Sequence, residues 1–203
     1  MKAGRIIVLN GTSSSGKSSL AKTLQDKLDE PYVHLLIEEL VPKLPERYLT
    51  GQHPDGVQMA KTPDGGLYVT AGPVAERVVA GFYAAVAAIA SAGNNVIVDT
   101  LMGDPFDAEE CARRLDGLDV LMVGVHCPLD VLEQRERERG DRTPGLAQGE
   151  LTRVHKYALY DLEVDTSVCS PAEAATKIIS AMDTPRGDSA IARMRARYAD
   201  AKS

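Results

Sequence analysis

The run Gly11-Thr12-Ser13-Ser14-Ser15-Gly16-Lys17-Ser18 matches the spacing GxxxxGK[ST] at every fixed position. Its glycines permit a tight turn in which successive backbone N–H groups converge on one concavity. A helix that follows such a turn adds its positive N-terminus, so the loop favours phosphate. Lys17 is placed to reach the β- and γ-phosphates and the Ser18 hydroxyl to bind Mg²⁺. Gly11, Ser13, Ser14, Ser15, Gly16, Lys17, Ser18 and Ser19 are therefore the candidate nucleotide contacts.

Phosphoryl transfer also needs a metal ligand, a charge clamp and a group that orients or deprotonates the nucleophile. Asp99 closes the apolar run Val96-Ile97-Val98 and can hold Mg²⁺ directly or through water; the plainer reading is an acid that caps the next loop. Glu38 and Glu39 follow a second apolar run. Either can accept a proton from a substrate hydroxyl, or both are solvated acids in a helix first turn. Arg135, Arg137, Arg139 and Arg142 alternate with Glu133, Glu136 and Glu138. Much of this pattern reads as ordinary helical ion pairs, above all at Arg137. The run leads into Gly140-Asp141-Arg142-Thr143-Pro144-Gly145, however, and arginines on a closing lid stabilise a transferring phosphoryl group. Arg139 and Arg142 are the candidates for that clamp and Arg135 for nucleotide contact. His34, His53, His126 and His155 show no metal-ligand spacing, and Cys127 lacks an evident base partner.

These residues need a scaffold of strands and helices in alternation. The apolar run Ile6–Leu9 reads as a strand buried on both faces and Val96–Asp99 as another buried strand, with Tyr32–Ile37, Val120–Val125 and a short Leu162–Val164 as the remaining strands. Helices are expected over Gly16–Leu28, Pro73–Ala92, Asp107–Leu115, Leu129–Arg139, Glu150–Tyr157 and Pro171–Met182. Gly93 should cap the second of these and Ser170 the last. Residues 46–72 form a long Gly-, Pro- and Asp-rich excursion with a small hairpin near Val57 and Leu67–Val69. The alternation predicts an α/β fold: a parallel five-stranded sheet between helical layers, with a helical lid at about 135–149 and ligands at the carboxyl ends of the strands.

The 203-residue chain suits one such domain. We place it at 1–183 and set apart a basic segment, 184–203, that packs, pairs with a partner subunit or is solvated. A net charge of −6 argues against an overall nucleic-acid footprint. Three cysteines, far apart and odd in number, argue against a disulfide framework and for a reducing, cytoplasmic setting. The alanine-rich stretch 74–92 carries Glu76 and Arg77 and suits a packed helix better than a membrane span.

The whole pattern resembles the chloramphenicol phosphotransferases, small P-loop kinases that phosphorylate a primary hydroxyl of the antibiotic. The likeness rests on Ile7-Val8-Leu9-Asn10-Gly11 leading into Ser14-Ser15-Gly16-Lys17-Ser18, on Glu30-Pro31, on Val96-Ile97-Val98-Asp99 and on Val123-Gly124-Val125 before Cys127. Its most specific pieces are Arg139-Gly140-Asp141-Arg142 and His155 followed by Tyr160-Asp161 and Glu163-Val164-Asp165-Thr166. The resemblance implies a mononucleotide-kinase-like fold, ATP with Mg²⁺ as cofactors and a carboxylate base after the second strand. That position falls on Glu38, where the family pattern has Asp; Thr100 likewise follows Asp99 where the family tends to repeat an Asp. The expected acceptor is a small hydroxylated molecule, such as the antibiotic. A shikimate-kinase-like or zeta-toxin-like enzyme acting on another metabolite or a UDP-sugar shares the same layout. A nucleotide-dependent switch without an acceptor is the third possibility, its GTPase form disfavoured by the lack of an NKxD motif.

Overall fold

Short apolar runs, each followed by a loop and a helix, fold into a three-layer α/β structure in the computed structural model, which describes residues 2–139, 145–184 and 187–200. In chain order the elements are β1 (Ile6–Asn10), α1 (Lys17–Lys27), β2 (Tyr32–Leu36), α2 (Ile37–Leu40), β3 (Val57–Lys61), β4 (Leu67–Ala71), α3 (Pro73–Ser91), β5 (Asn95–Thr100), α4 (Pro105–Arg114), β6 (Val120–His126), α5 (Leu129–Arg139), α6 (Leu146–Leu151), β7 (Leu162–Asp165), α7 (Pro171–Met182) and α8 (Ala190–Asp200). One five-stranded sheet has the order β2-β5-β1-β6-β7 and is parallel throughout.

Side chains alternate across the sheet. Ile7, Leu9, Ile97, Leu121 and Val123 pack on the α1 and α7 side. Ile6, Val8, Val96, Val98, Val120 and Met122 pack on the side of α3, α4 and α8. Burial on both faces is why the central strands β1, β5 and β6 read as continuous apolar runs, whereas the edge strands β2 and β7 are only partly buried. Helix α3 is long and apolar enough to span a membrane by length and composition, yet its stripe of Val79, Phe82, Tyr83, Val86 and Ala90 is buried in this core. Gly93 follows it at φ +93°, and its N–H bonds the Ala90 carbonyl, closing the helix. In the basic C-terminal segment, α8 contributes Ala190, Ile191 and Met194 to the same core.

A 3-10 turn at Val41–Lys43 leads into the excursion, which holds a second such turn at Glu46–Tyr48 and the antiparallel hairpin β3–β4. One helix departs from expectation. The sequence suggests Glu150–Tyr157, but α6 spans Leu146–Leu151 and residues 152–157 are turns. The helix starts early because buried Glu136 accepts a hydrogen bond from the Ala147 N–H at 2.9 Å, satisfying a free donor of its first turn.

Candidate active site

The carboxyl ends of the central strands lie level, with Asp99 beside both Leu9 and Leu36. The phosphate loop leaves β1 at this edge. Ser14 (φ +61°) and Gly16 (φ +91°) adopt left-handed conformations, which turn successive N–H groups inward as an anion nest. Gly11 is required by packing, because a Cβ there would lie 2.4 Å from the Val125 carbonyl oxygen. The buried Ser14 and Ser15 hydroxyls have no hydrogen-bond partner among the described residues. Orphaned hydroxyls beside convergent N–H groups fit a phosphate ligand.

Lys17 is buried and its Nζ donates to the carbonyls of Gly11 and Thr12 at 2.9 and 2.8 Å. It also lies 3.7 Å from Asp99 Oδ1. Ser18 Oγ donates to Asp99 Oδ2 at 2.9 Å. A hydroxyl and a carboxylate side by side are a hard-oxygen set that fits Mg²⁺, which completes its shell with water and phosphate oxygens. Among the described residues no group of three His, Cys, Asp or Glu is arranged to hold a metal alone. Burial lowers the His34 pKa, so its ring, 3.9 Å from Asp99, is neutral near pH 7.

Two cavities meet at this edge. One, of about 440 Å³, is bounded by the phosphate loop, Asp99, Arg135, Thr166 and Pro171. The other, of about 460 Å³, is lined largely by apolar side chains from α2, the hairpin, α3 and α4, including Ile37, Val57, Val69, Val79 and Phe106. Ser13 and Glu38 line both. Glu38 thus stands at the junction, in the first turn of α2 and anchored by buried Ile37. Glu39 lines neither cavity.

Arg135 reaches across from α5. It donates to Thr166 Oγ1 (3.1 Å), to the Thr166 carbonyl (2.9 Å) and to the Ser14 carbonyl (3.4 Å), bracing the outer wall of the nucleotide-side cavity. Ser19 lines that cavity, whereas Arg137 is exposed and lines neither. Arg142 and the Arg139 side chain lie outside the described residues. Cys127 packs 3.4 Å from Arg135 Nη1, and burial raises its thiol pKa above the ordinary value.

Several site residues have no sequence motif. Glu150 on α6 is 5% exposed; its Oε2 accepts from the Ser13 N–H at 2.8 Å and its Oε1 from the Ser13 hydroxyl at 3.3 Å. Burial raises its pKa, against the pull of Lys17. Asn10 accepts from the Met102 N–H (2.8 Å) and donates to the Val154 carbonyl (2.9 Å) and to Tyr160 Oη (2.7 Å). Tyr160 then has its proton for His155 Nδ1, 2.7 Å away. Burial lowers the His155 pKa to about 4, so the ring is neutral. This clasp joins the end of β1 to the segment after α6. Asp107, fully within the core wall, accepts from Tyr83 Oη at 2.7 Å, and burial pushes its carboxyl up to about 7.

A parallel 2-5-1-6-7 sheet with a phosphate loop after its central strand and a carboxylate at a two-cavity junction defines a kinase-type P-loop fold. Solved structures share it. The APS kinase CysC of Mycobacterium tuberculosis, solved with AMPPNP and APS, is 17% identical with a TM-score of 0.64, covering 91% of this chain and all (100%) of its own. The tunicamycin resistance protein of Deinococcus radiodurans is 18% identical with a TM-score of 0.61, over 90% of this chain and 97% of its own. Two Mycobacterium tuberculosis proteins, each named "Putative O-phosphotransferase", are 33% identical over 211 residues, or 98% of this chain and 91% of theirs. The model of the chloramphenicol phosphotransferase-like protein family matches residues 4–183, and the chain belongs to that family of kinase-type phosphotransferases.

Proposed function

We propose that the protein transfers the terminal phosphoryl group of ATP to a hydroxyl of a small, largely apolar acceptor, with chloramphenicol as the first candidate. One observation carries the reading: Glu38 and Ser13 are shared by the walls of a phosphate-loop cavity and an apolar cavity. The phosphate loop and Arg135 would hold the nucleotide, and Ser18 with Asp99 the Mg²⁺. ATP supplies the phosphoryl group and Mg²⁺ offsets its charge. Glu38 accepts the acceptor's hydroxyl proton as the new O–P bond forms. Lys17 stabilises the charge that develops on the transferring group, and Arg139 and Arg142 are assigned to the same clamp from sequence. The three free cysteines support a reducing, cytoplasmic setting.

The acceptor cavity favours uncharged or cationic molecules. Its ionisable lining is acidic, Glu38, Asp104, Asp107 and Glu150, and among the described residues it includes no Lys, Arg or His. An anionic acceptor such as shikimate or a UDP-sugar meets like charge there, which costs binding energy. The test is an ATP-consumption assay over chloramphenicol, other neutral hydroxylated antibiotics, shikimate and a UDP-sugar, with mass detection of an added phosphate. We expect product with a neutral acceptor. Phosphorylation of the anionic members alone would overturn the assignment.

A further inference from the structure

Glu150 is bonded to a residue at the junction of the two cavities. It lines the acceptor cavity, yet its carboxylate is bonded to the backbone N–H of Ser13, a phosphate-loop donor that lines both cavities. It is therefore an anion placed on a donor of the anion nest. At 5% exposure it has little water to share its charge. The charged groups around it come from separate elements: Lys17 on α1 favours its ionised form, Glu38 on α2 opposes it, and Asp104 and Asp107 line the same cavity from the α4 end. Its bonded partners, the Ser13 N–H and hydroxyl, are neutral.

A transferring phosphoryl group travels from one cavity to the other past the shared residues, Ser13 and Glu38. A phosphate oxygen drawn to the same donor sets like charge beside a buried carboxylate, which favours its protonated form. We propose that Glu150 is the residue through which the site distinguishes a triphosphate from a diphosphate, by taking a proton from solvent when the terminal phosphoryl group occupies the junction. The protonated acid then donates to a phosphate oxygen in place of repelling it. With a diphosphate the junction is empty, Glu150 remains on Ser13 and no proton is taken up there. The inference rests on the nucleotide reading above and gives Glu150 a specificity role within it.

The test is calorimetry of Mg²⁺–AMPPNP and Mg²⁺–ADP binding at pH 6.5 in two buffers of different ionisation enthalpy. The dependence of the heat on buffer counts protons. We expect wild type to take up an excess of protons over Glu150→Gln on binding AMPPNP, by up to about one, and no excess on binding ADP. The nucleotide's own ionisation is common to both proteins and cancels in that comparison. Glu150→Ala should lack the excess equally and stands in if the Gln variant fails to fold. The same proton count in wild type and variant, with AMPPNP bound by both, overturns the proposal and leaves the nucleotide reading intact. No heat with either nucleotide overturns both.

Discussion

Replacing Glu38 by Gln removes one charge and one proton acceptor while keeping the length of the side chain. Glu38 is exposed in the first turn of α2, beside Ile37, whose burial anchors the helix. Surface substitutions of this kind change stability by about 0.5 kcal/mol or less. The phosphate loop keeps its own contacts, since Lys17 is held by the Gly11 and Thr12 carbonyls and Ser18 by Asp99. Nucleotide affinity should therefore stay within about threefold, the charge at position 38 being partly screened. Turnover should fall by about 10²- to 10⁴-fold, the usual worth of a positioned general base. At ~1.36 kcal/mol per decade, that is about 3 to 5 kcal/mol on the barrier. Glu38→Asp keeps the base but shortens it by one methylene, so its loss should fall between wild type and Gln. Glu39→Gln is the control, because Glu39 lines neither cavity. The assay is single-turnover phosphoryl transfer to whichever acceptor the panel yields, with nucleotide affinity measured separately. Glu38→Gln turnover within about threefold of wild type would refute the base assignment and the junction argument behind it.

Two predictions concern the scaffold. Gly149 in α6 faces the hairpin, and a Cβ there would lie 2.0 Å from the Leu67 carbonyl oxygen. Gly149→Ala should thus destabilise by about 1–3 kcal/mol, lowering Tm by roughly 3–10 °C, although alanine favours an isolated helix; a raised Tm in a melting experiment would contradict this packing. Asp107 has its carboxyl raised from 3.8 to about 7, so between those values the folded state holds a proton that the unfolded state has released. Relative to Asp107→Asn, which keeps the oxygen that accepts from Tyr83, wild-type stability should fall as pH rises through that window, leaving the variant the more stable protein at pH 8 by a few kcal/mol; parallel pH dependence of the two in denaturant melts would refute the buried-acid reading.

The phosphate side of the site was legible because it is local. Eight consecutive residues carry the loop, from Gly11 to Ser18, and strand and helix flank them directly. Asp99 could be read from its place at a strand end, and the parallel pairing puts it beside Leu9 and Leu36 as that reading requires. The choice between Glu38 and Glu39 was not legible, because it depends on which side of α2 faces the junction, and a single helical turn has no periodicity to show it. Glu150 was hidden for a related reason. The sequence suggests a helix beginning at that residue, whereas α6 ends one residue after it; Gly149 weakens the helical signal but serves a close approach to Leu67. Asn10 and Tyr160 are likewise 150 positions apart, and only the pairing of β6 with β7 places the residues just before β7 beside the end of β1.

This division has a consequence for how the site can change. The phosphate loop is fixed by its backbone: Ser14 and Gly16 at positive φ and Gly11 against Val125 leave little freedom for substitution. The apolar cavity, which we propose takes the acceptor, is built from side chains on α2, the hairpin, α3, α4 and α6, and each wall contributes only a few apolar groups. Exchanging Val57, Val69 or Phe106, none of them fully buried, for a side chain of another size reshapes the cavity without touching Lys17, Ser18 or Asp99. Two walls are not free in this way. α2 carries Glu38 to the junction, and α6 is tied to α5 through Glu136, to the hairpin through Gly149 and to the phosphate loop through Glu150. Under the proposed function, acceptor preference can thus shift through the hairpin, α3 and α4, while α2 and α6 keep the junction itself unchanged.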